Sequence, residues 1–321
     1  MKFPYSNSLK KEPSSPLKGR ASAQELGRCG RLASVDHAQL RALLRLVRSL
    51  TGFEAWPYRE STLRRRLELR LQATACESIR EYIRFMQRNP AEAFNFKENL
   101  LIHVTRFFRD RSVFTFLERR LLPLWLDKLV AQQRRTLRVW SVGCASGQEP
   151  FSLAMVLHRP ASEKGLHPII LATDVSARIL ARSREAVYRR EDLRPIPLRL
   201  REIFFTEEKS GLFRVSPFLR RMVVFRQHDL VQDEPPGTFD LIMCRNLLIF
   251  FRPEFQDQLL QKISTALTEG GLLILGRSER ISSGNGLQLL SARFQVYQKR
   301  PKEEKIERIK NKNALIAQVG G

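Results

Sequence analysis

Between Leu137 and Met155 the chain reads LRVWSVGCASGQEPFSLAM. An apolar run passes into a glycine-bearing turn and then into a helix-like segment. This is the order of a buried strand, a tight turn and a helix start in an α/β fold. Gly143 and Gly147 carry no Cβ, which leaves backbone open to a ligand. Glu149 stands where a dinucleotide site leaves room for pyrophosphate. An anion there repels phosphate and suits an ammonium group.

At 321 residues the chain has room for about two domains. A hydrophobic content of 43% supports a sizeable core, and a net charge of +23 favours an anionic partner: nucleic acid, an anionic surface or an acidic protein. Part of that charge sits in the ends. Residues 1–33 read as a disordered basic tail and residues 300–321 as a charged tail. None of the cysteines (Cys29, Cys76, Cys144, Cys244) forms a CxxC pair, which argues against zinc. With no apolar run near the roughly 20 residues of a membrane span, and no secretory signal, a cytoplasmic protein with reduced thiols is expected.

From 34 to 110 the apolar spacing is helical. Gly52 is placed to end the first helix, Ser61 to cap the second and Ser78 to cap the third, with Pro90 just past its end. AEAFNFKENLLIHV reads as a further helix. From 111 to 299 a long helix, SVFTFLERRLLPLWLDKLVAQQ, leads into alternating strands and helices. Such alternation predicts a mostly parallel sheet covered on both faces. Pro195, Pro197, Gly211 and Pro217 break the rhythm and predict a small antiparallel insertion between 189 and 221.

Ligands of open α/β sheets bind beyond the carboxyl ends of the strands, and polar residues recur there. Gly143, Gly147 and Glu149 follow the first strand. Asp174 ends the second and can accept from two ribose hydroxyls. Asp229 ends the third and can accept from an adenine amine. Arg245 and Asn246 end the fourth. An acid at one strand end is commonly a helix cap; four polar ends in register predict a nucleoside-containing cofactor. The ammonium-compatible Glu149 favours S-adenosylmethionine (SAM), with NAD as the competitor.

The stretches VTRFFRD, VWSVGCASGQEPFSLAM, ATDVS, HDL, FDLIMCRNLLIFF and GGLLILGRSE, together with the basic STLRRRLELR, resemble the CheR family of SAM-dependent chemotaxis-receptor glutamate O-methyltransferases. The resemblance spans roughly Leu40 to Lys299. It implies a helical N-terminal domain followed by a Rossmann-like methyltransferase domain with a small β insertion. Thr105 and Arg109 match cofactor-contacting positions, and Arg109 matches an arginine implicated in catalysis. Glu149 matches the acid at the SAM amino end, Asp174 the ribose acid, and Asp229 with Leu230 the adenine-side pair. Arg245 and Asn246 match the residues after the fourth strand. His103 stands where an asparagine is common, Asp229 where asparagine is frequent, and Phe250 where a tyrosine often sits near the reacting methyl. Phe151 also replaces a common tyrosine.

The implied acceptor, a glutamate carboxylate of unperturbed pKa about 4.3, is already ionised at pH 7 and needs no general base. A guanidinium can hold one of its oxygens while the other attacks, which is the role expected of Arg109. Arg245 is open to a second reading, a structural residue paired with a nearby acid. Phe107 and Phe108 read as core. Arg64, Arg65, Arg66 and Arg70 form a basic helix face, expected to dock the acidic cytoplasmic helices of methyl-accepting receptors or else simply to be solvated. Two other functions compete. A nucleic-acid methyltransferase would explain the charge, but CRNLLIFF lacks a proline-aromatic motif and Cys244 reads as buried. A SAM-binding, receptor-docking module without catalysis would explain Phe250 and His103.

Overall fold

The computed structural model describes residues 36–208, 211–281 and 286–300. Cys29 and both expected tails, apart from Arg300, lie outside these residues. Four helices come first: α1 (His37–Thr51), α2 (Glu60–Thr74), α3 (Ile79–Arg88) and α4 (Ala91–Leu100). Asp36 caps α1 by accepting from the Ala38 N–H at 2.9 Å, and Gly52 ends it in the left-handed region at φ 68°. Leu40, Leu43, Leu44 and Val47 face the core. Ser78 caps α3 by accepting from the Glu81 N–H at 3.2 Å.

Two expectations shift. Ser61 lies inside α2 and does not cap it, because tertiary contacts set the start of that helix. The Arg59 N–H donates to the Phe250 carbonyl (2.8 Å) and the Arg252 N–H to the Pro57 carbonyl (2.9 Å). Helix α4 stops at Leu100, and the chain from Leu101 to Thr105 leaves the helical path towards the sheet.

The long helix expected next is broken. Helix α5 (Arg111–Phe116) widens into a π-type turn at Leu117–Leu121 before α6 (Leu122–Ala131). Pro123 stands in the first turn of α6, where its missing N–H costs nothing. Then come β1 (Thr136–Val142), α7 (Gln148–Ser162), β2 (His167–Asp174) and α8 (Ala177–Glu185). The insertion follows as β3 (Val187–Arg189), α9 (Leu198–Phe204), β4 (Phe205–Glu207), β5 (Leu212–Val215) and α10 (Pro217–Met222). After it come β6 (Val223–Gln227), β7 (Phe239–Cys244), α11 (Pro253–Thr265), β8 (Leu267–Leu275), β9 (Leu287–Ser291) and β10 (Val296–Lys299).

The main sheet has seven strands in the order β6-β2-β1-β7-β8-β10-β9. Strands β6 to β8 run parallel, and β10 and β9 add antiparallel edges. The insertion is a separate antiparallel sheet, β3-β5-β4. Strand β9 was not foreseen. The first two glycines of GGLLILG lie inside β8, where Gly270 (φ 72°) marks a bulge: Phe239 pairs with Leu267 but Leu241 with Leu272. Apolar residues cover both sheet faces. Trp140, Ile242 and Leu273 share a core with Leu43, Leu67 and Phe96 of the N-terminal helices, so those helices are packed onto the sheet. Among the described residues no helix is long and apolar enough to cross a membrane.

Candidate active site

The carboxyl ends of β1, β2, β6 and β7 open into a cleft of about 920 Å³, its mouth included. His103, Thr105, Arg109, Gly143, Glu149, Asp174, Asp229, Leu230, Arg245, Asn246 and Phe250 all line it. Strand β2 ends on Asp174 as expected, but β6 and β7 stop at Gln227 and Cys244. Asp229, Arg245 and Asn246 therefore sit in the loops beyond those strands.

Gly147 does not line the cleft. A Cβ there would meet the Tyr188 hydroxyl at 2.9 Å and the Phe225 ring at 3.2 Å, so the space the sequence reserved for a ligand holds the protein's own aromatic side chains. Its φ of 91° also calls for glycine. Gly143 does line the cleft, with Leu247 only 3.1 Å from its would-be Cβ.

Glu149 stands in the first turn of α7 and accepts from the Ser141 hydroxyl at 2.9 Å. Burial pushes its carboxyl up to about 7, against the opposing pull of Arg245, the Ser141 hydrogen bond and Arg109, with Glu279 adding to the rise. A buried carboxyl so placed gains from an ammonium partner, which returns it to the charged form. Asp174 accepts from the Ala145 and Ser176 N–H groups, both at 3.0 Å. Each of its oxygens keeps further acceptor capacity for a vicinal diol. Asp229 caps its own turn, accepting from the Val231 N–H (2.9 Å) and the Gln232 side chain (2.9 Å).

The two arginines differ. Arg245 is fully buried, paired with Asp110, and donates to the Arg109 carbonyl at 2.8 Å; Glu149 lies 4.0 Å away. Its structural reading holds while it still lines the cleft. Arg109 is half-buried and donates to the Val104 carbonyl at 3.0 Å. Four buried polar atoms of cleft residues find no hydrogen-bond partner: His103 Nε2, His228 Nδ1, Arg245 Nε and Asn246 Oδ1. Buried polar groups are rarely left unpaired, so the cleft suits a polar ligand.

Phe107 and Phe108 are core, the first edge-on to Tyr188 at 4.8 Å and the second to Phe114 at 5.2 Å. Phe151 packs on Phe225 at 5.8 Å, away from the cleft. Residues not foreseen also line it. Tyr58 reaches in from the connection between α1 and α2, its ring tilted against Phe251 at 4.7 Å, and burial raises its phenol far above the ordinary range. His228 opens the family-like HDL stretch, of which the sequence reading assigned roles only to Asp229 and Leu230.

The basic helix is divided. Arg70 is committed to buried Glu92 through hydrogen bonds of 2.8 and 2.6 Å, with the Tyr82 hydroxyl on the same carboxylate. It is a packing element between α2 and α4, which departs from its expected place in a free docking face. Arg64 pairs with Glu60. Arg65 is exposed, and half-buried Arg66 has its pKa lowered by burial and by Arg65.

Comparison with known proteins agrees with this architecture. Residues 103–297 match the CheR methyltransferase SAM-binding domain and residues 38–101 the CheR methyltransferase all-alpha domain. A chemotaxis protein methyltransferase of Listeria monocytogenes is 34% identical over 74% of this chain and 88% of its own length. An uncharacterized 104.1 kDa protein of Rhodobacter capsulatus is 34% identical over 75% of this chain, which spans only 25% of it. The solved magnesium protoporphyrin IX methyltransferase of Synechocystis PCC 6803 with bound SAM is 18% identical, covering 55% of this chain and 74% of that one at a TM-score of 0.29. The chain, a SAM-dependent methyltransferase, belongs to the CheR methyltransferase family.

Proposed function

We propose that the protein transfers the SAM methyl group to glutamate side chains of methyl-accepting chemotaxis receptors in the cytoplasm. The observation that carries this reading is the joining in one cleft of buried Asp174 with the half-buried Glu149 and Arg109. The name of the Listeria relative supports chemotaxis as the setting.

When bound, SAM supplies a methyl group on a cationic sulfur. Glu149 and Asn246 hold its amino-acid end, Asp174 its ribose, and Asp229 with Leu230 its adenine. His103, whose Nε2 lies 3.6 Å from Asp174, can donate one hydrogen bond near the ribose. Thr105 lies beside His103 and lends a hydroxyl. Phe250 contributes an apolar wall and a ring face that tolerates positive charge. Arg109 orients the acceptor carboxylate by gripping one oxygen, leaving the other free to attack. The acceptor is already an anion, so no residue need take a proton. Arg65 and Arg66 of α2 steer the acidic receptor helix, with Arg64 at the edge of that face and Arg70 behind it.

A second reading, SAM binding without turnover, draws on Phe250, which cannot donate a hydrogen bond to the acceptor. Nucleic-acid methylation fits less well: Cys244 is fully buried, so it offers no nucleophile to a base. Mass spectrometry of receptor peptides after incubation with SAM tests the proposal. A mass gain of one methyl mapped to glutamate is expected. Unmodified peptides beside intact SAM binding would instead favour the binding-only reading.

A further inference from the structure

The GGLLILGRSE segment ends in an acid to which the cofactor chemistry gives no task. Glu279 does not line the cleft and is only 4% exposed. Its carboxylate gathers backbone N–H groups from the loop after β7. Oε2 accepts from Asn246 (2.8 Å) and Gly276 (2.7 Å). Oε1 accepts from Leu247 (2.9 Å), Leu248 (2.8 Å) and Ile249 (3.3 Å). Successive N–H groups converging on one point make an anion-binding nest, and here the protein supplies its own anion. The approach is close enough that a Cβ on Gly276 would lie 2.5 Å from Glu279 Oε2.

The loop so held is the one that faces the cofactor. Asn246, Leu247 and Phe250 line the cleft. Asn246 sits in the left-handed region at φ 58°, a conformation that asparagine tolerates better than other residues bearing a Cβ. Charge-assisted hydrogen bonds are roughly twice as strong as neutral ones, and a single carboxylate receives them from both the β7 and β8 ends. One carboxylate thus serves four successive N–H groups, those of residues 246–249.

We infer that Glu279 is a positioning residue for methyl transfer, its buried carboxylate fixing the Asn246–Phe250 loop against the cofactor and the acceptor. The inference rests on the methyl-transfer reading only for its rate measurement; its binding measurements need no acceptor. The charge of Glu279 also reaches Glu149, which feels Arg245 and Arg109 as opposing cations and Ser141 as a hydrogen-bond donor. Removing the negative charge of Glu279 therefore lowers the pH at which Glu149 ionises.

The experiment is calorimetric titration with SAM at pH values on either side of 7, for the wild type, Glu279→Gln and Glu279→Asp, with methyl transfer to receptor membranes alongside. In Glu279→Gln an amide donor replaces one acceptor; in Glu279→Asp the charge stays but the reach is shorter. Both variants are expected to bind SAM at least about tenfold more weakly and to transfer methyl about 10²-fold more slowly. The pH midpoint of SAM binding is expected to fall in Glu279→Gln and to stay in Glu279→Asp. A lowered melting temperature with wild-type SAM affinity and midpoint would make Glu279 merely structural and overturn the inference. Should Glu279→Gln not fold, wild-type affinity in Glu279→Asp overturns it equally. A wild type that binds SAM but labels no receptor would count against the proposed acceptor, while the binding measurements would still judge Glu279.

Discussion

In the strand-end cleft, charges are committed before any ligand arrives. Arg245 is fully buried on Asp110, Asp174 holds two backbone N–H groups, and Glu279 holds the facing loop. On the outer helix α2, commitment is partial. Arg70 and Arg64 are tied to Glu92 and Glu60, while Arg65 is exposed to solvent. The difference teaches where a substitution will register. Buried, paired charges hold shape, because removing one partner strands the other in a low dielectric. Exposed charges steer association and are screened by salt. Arg109, half-buried at the rim, lies between the two regimes.

The largest effect is expected from Arg245→Ala. It strands Asp110 and frees the Arg109 carbonyl, so a loss of about 3–5 kcal/mol is expected in denaturant unfolding. A change under about 1 kcal/mol would mean that the cleft is less committed than its geometry indicates. Arg109→Ala comes next. It should cost about 10²–10³-fold in methyl transfer, the scale of losing one preorganised donor, with the melting temperature nearly unchanged.

Glu149 sharpens the comparison through pH. Its folded-state pKa is raised from 4.5 to about 7, so the free protein holds that proton below 7 and loses some stability as pH rises from 4.5 through 7. An ammonium ligand needs the carboxylate. SAM affinity should therefore weaken by roughly tenfold per pH unit as pH falls below 7, and Glu149→Gln should bind weakly at every pH. Calorimetry in buffers of different ionisation enthalpy should also show proton release on binding near pH 7. The smallest effects separate the arginines of α2. Arg65→Glu should slow association with receptor membranes a few-fold at low salt and leave the melting temperature alone. Arg70→Ala should do the reverse, lowering the melting temperature because Glu92 and Tyr82 lose their cation.

The strand-turn-helix at Leu137–Met155 was legible because glycine, acid and apolar run follow one another along the chain. Asp174 was legible because β2 ends on it. What spacing could not show was which groups already answer one another. Gly147 looked open to a ligand, but its neighbour is Tyr188, which arrives from the insertion after β2. Arg70 looked like its neighbours on a basic face, yet Glu92 on another helix claims it. The broken helix before β1 hid because Pro123 sits in an otherwise unbroken amphipathic pattern. Tyr58 shapes the cleft from a distant stretch that no local pattern marks, and although Glu279 closes the family-like GGLLILGRSE stretch, nothing in the spacing tied it to the loop after β7.

The most direct test is transfer of label from radiolabelled SAM to receptor-containing membranes, with Arg109→Ala as the control. Base-labile label on the receptor, lost in the variant, is the result predicted for glutamate methyl esters formed at this cleft. Base-stable label, or equal label in the variant, would contradict it.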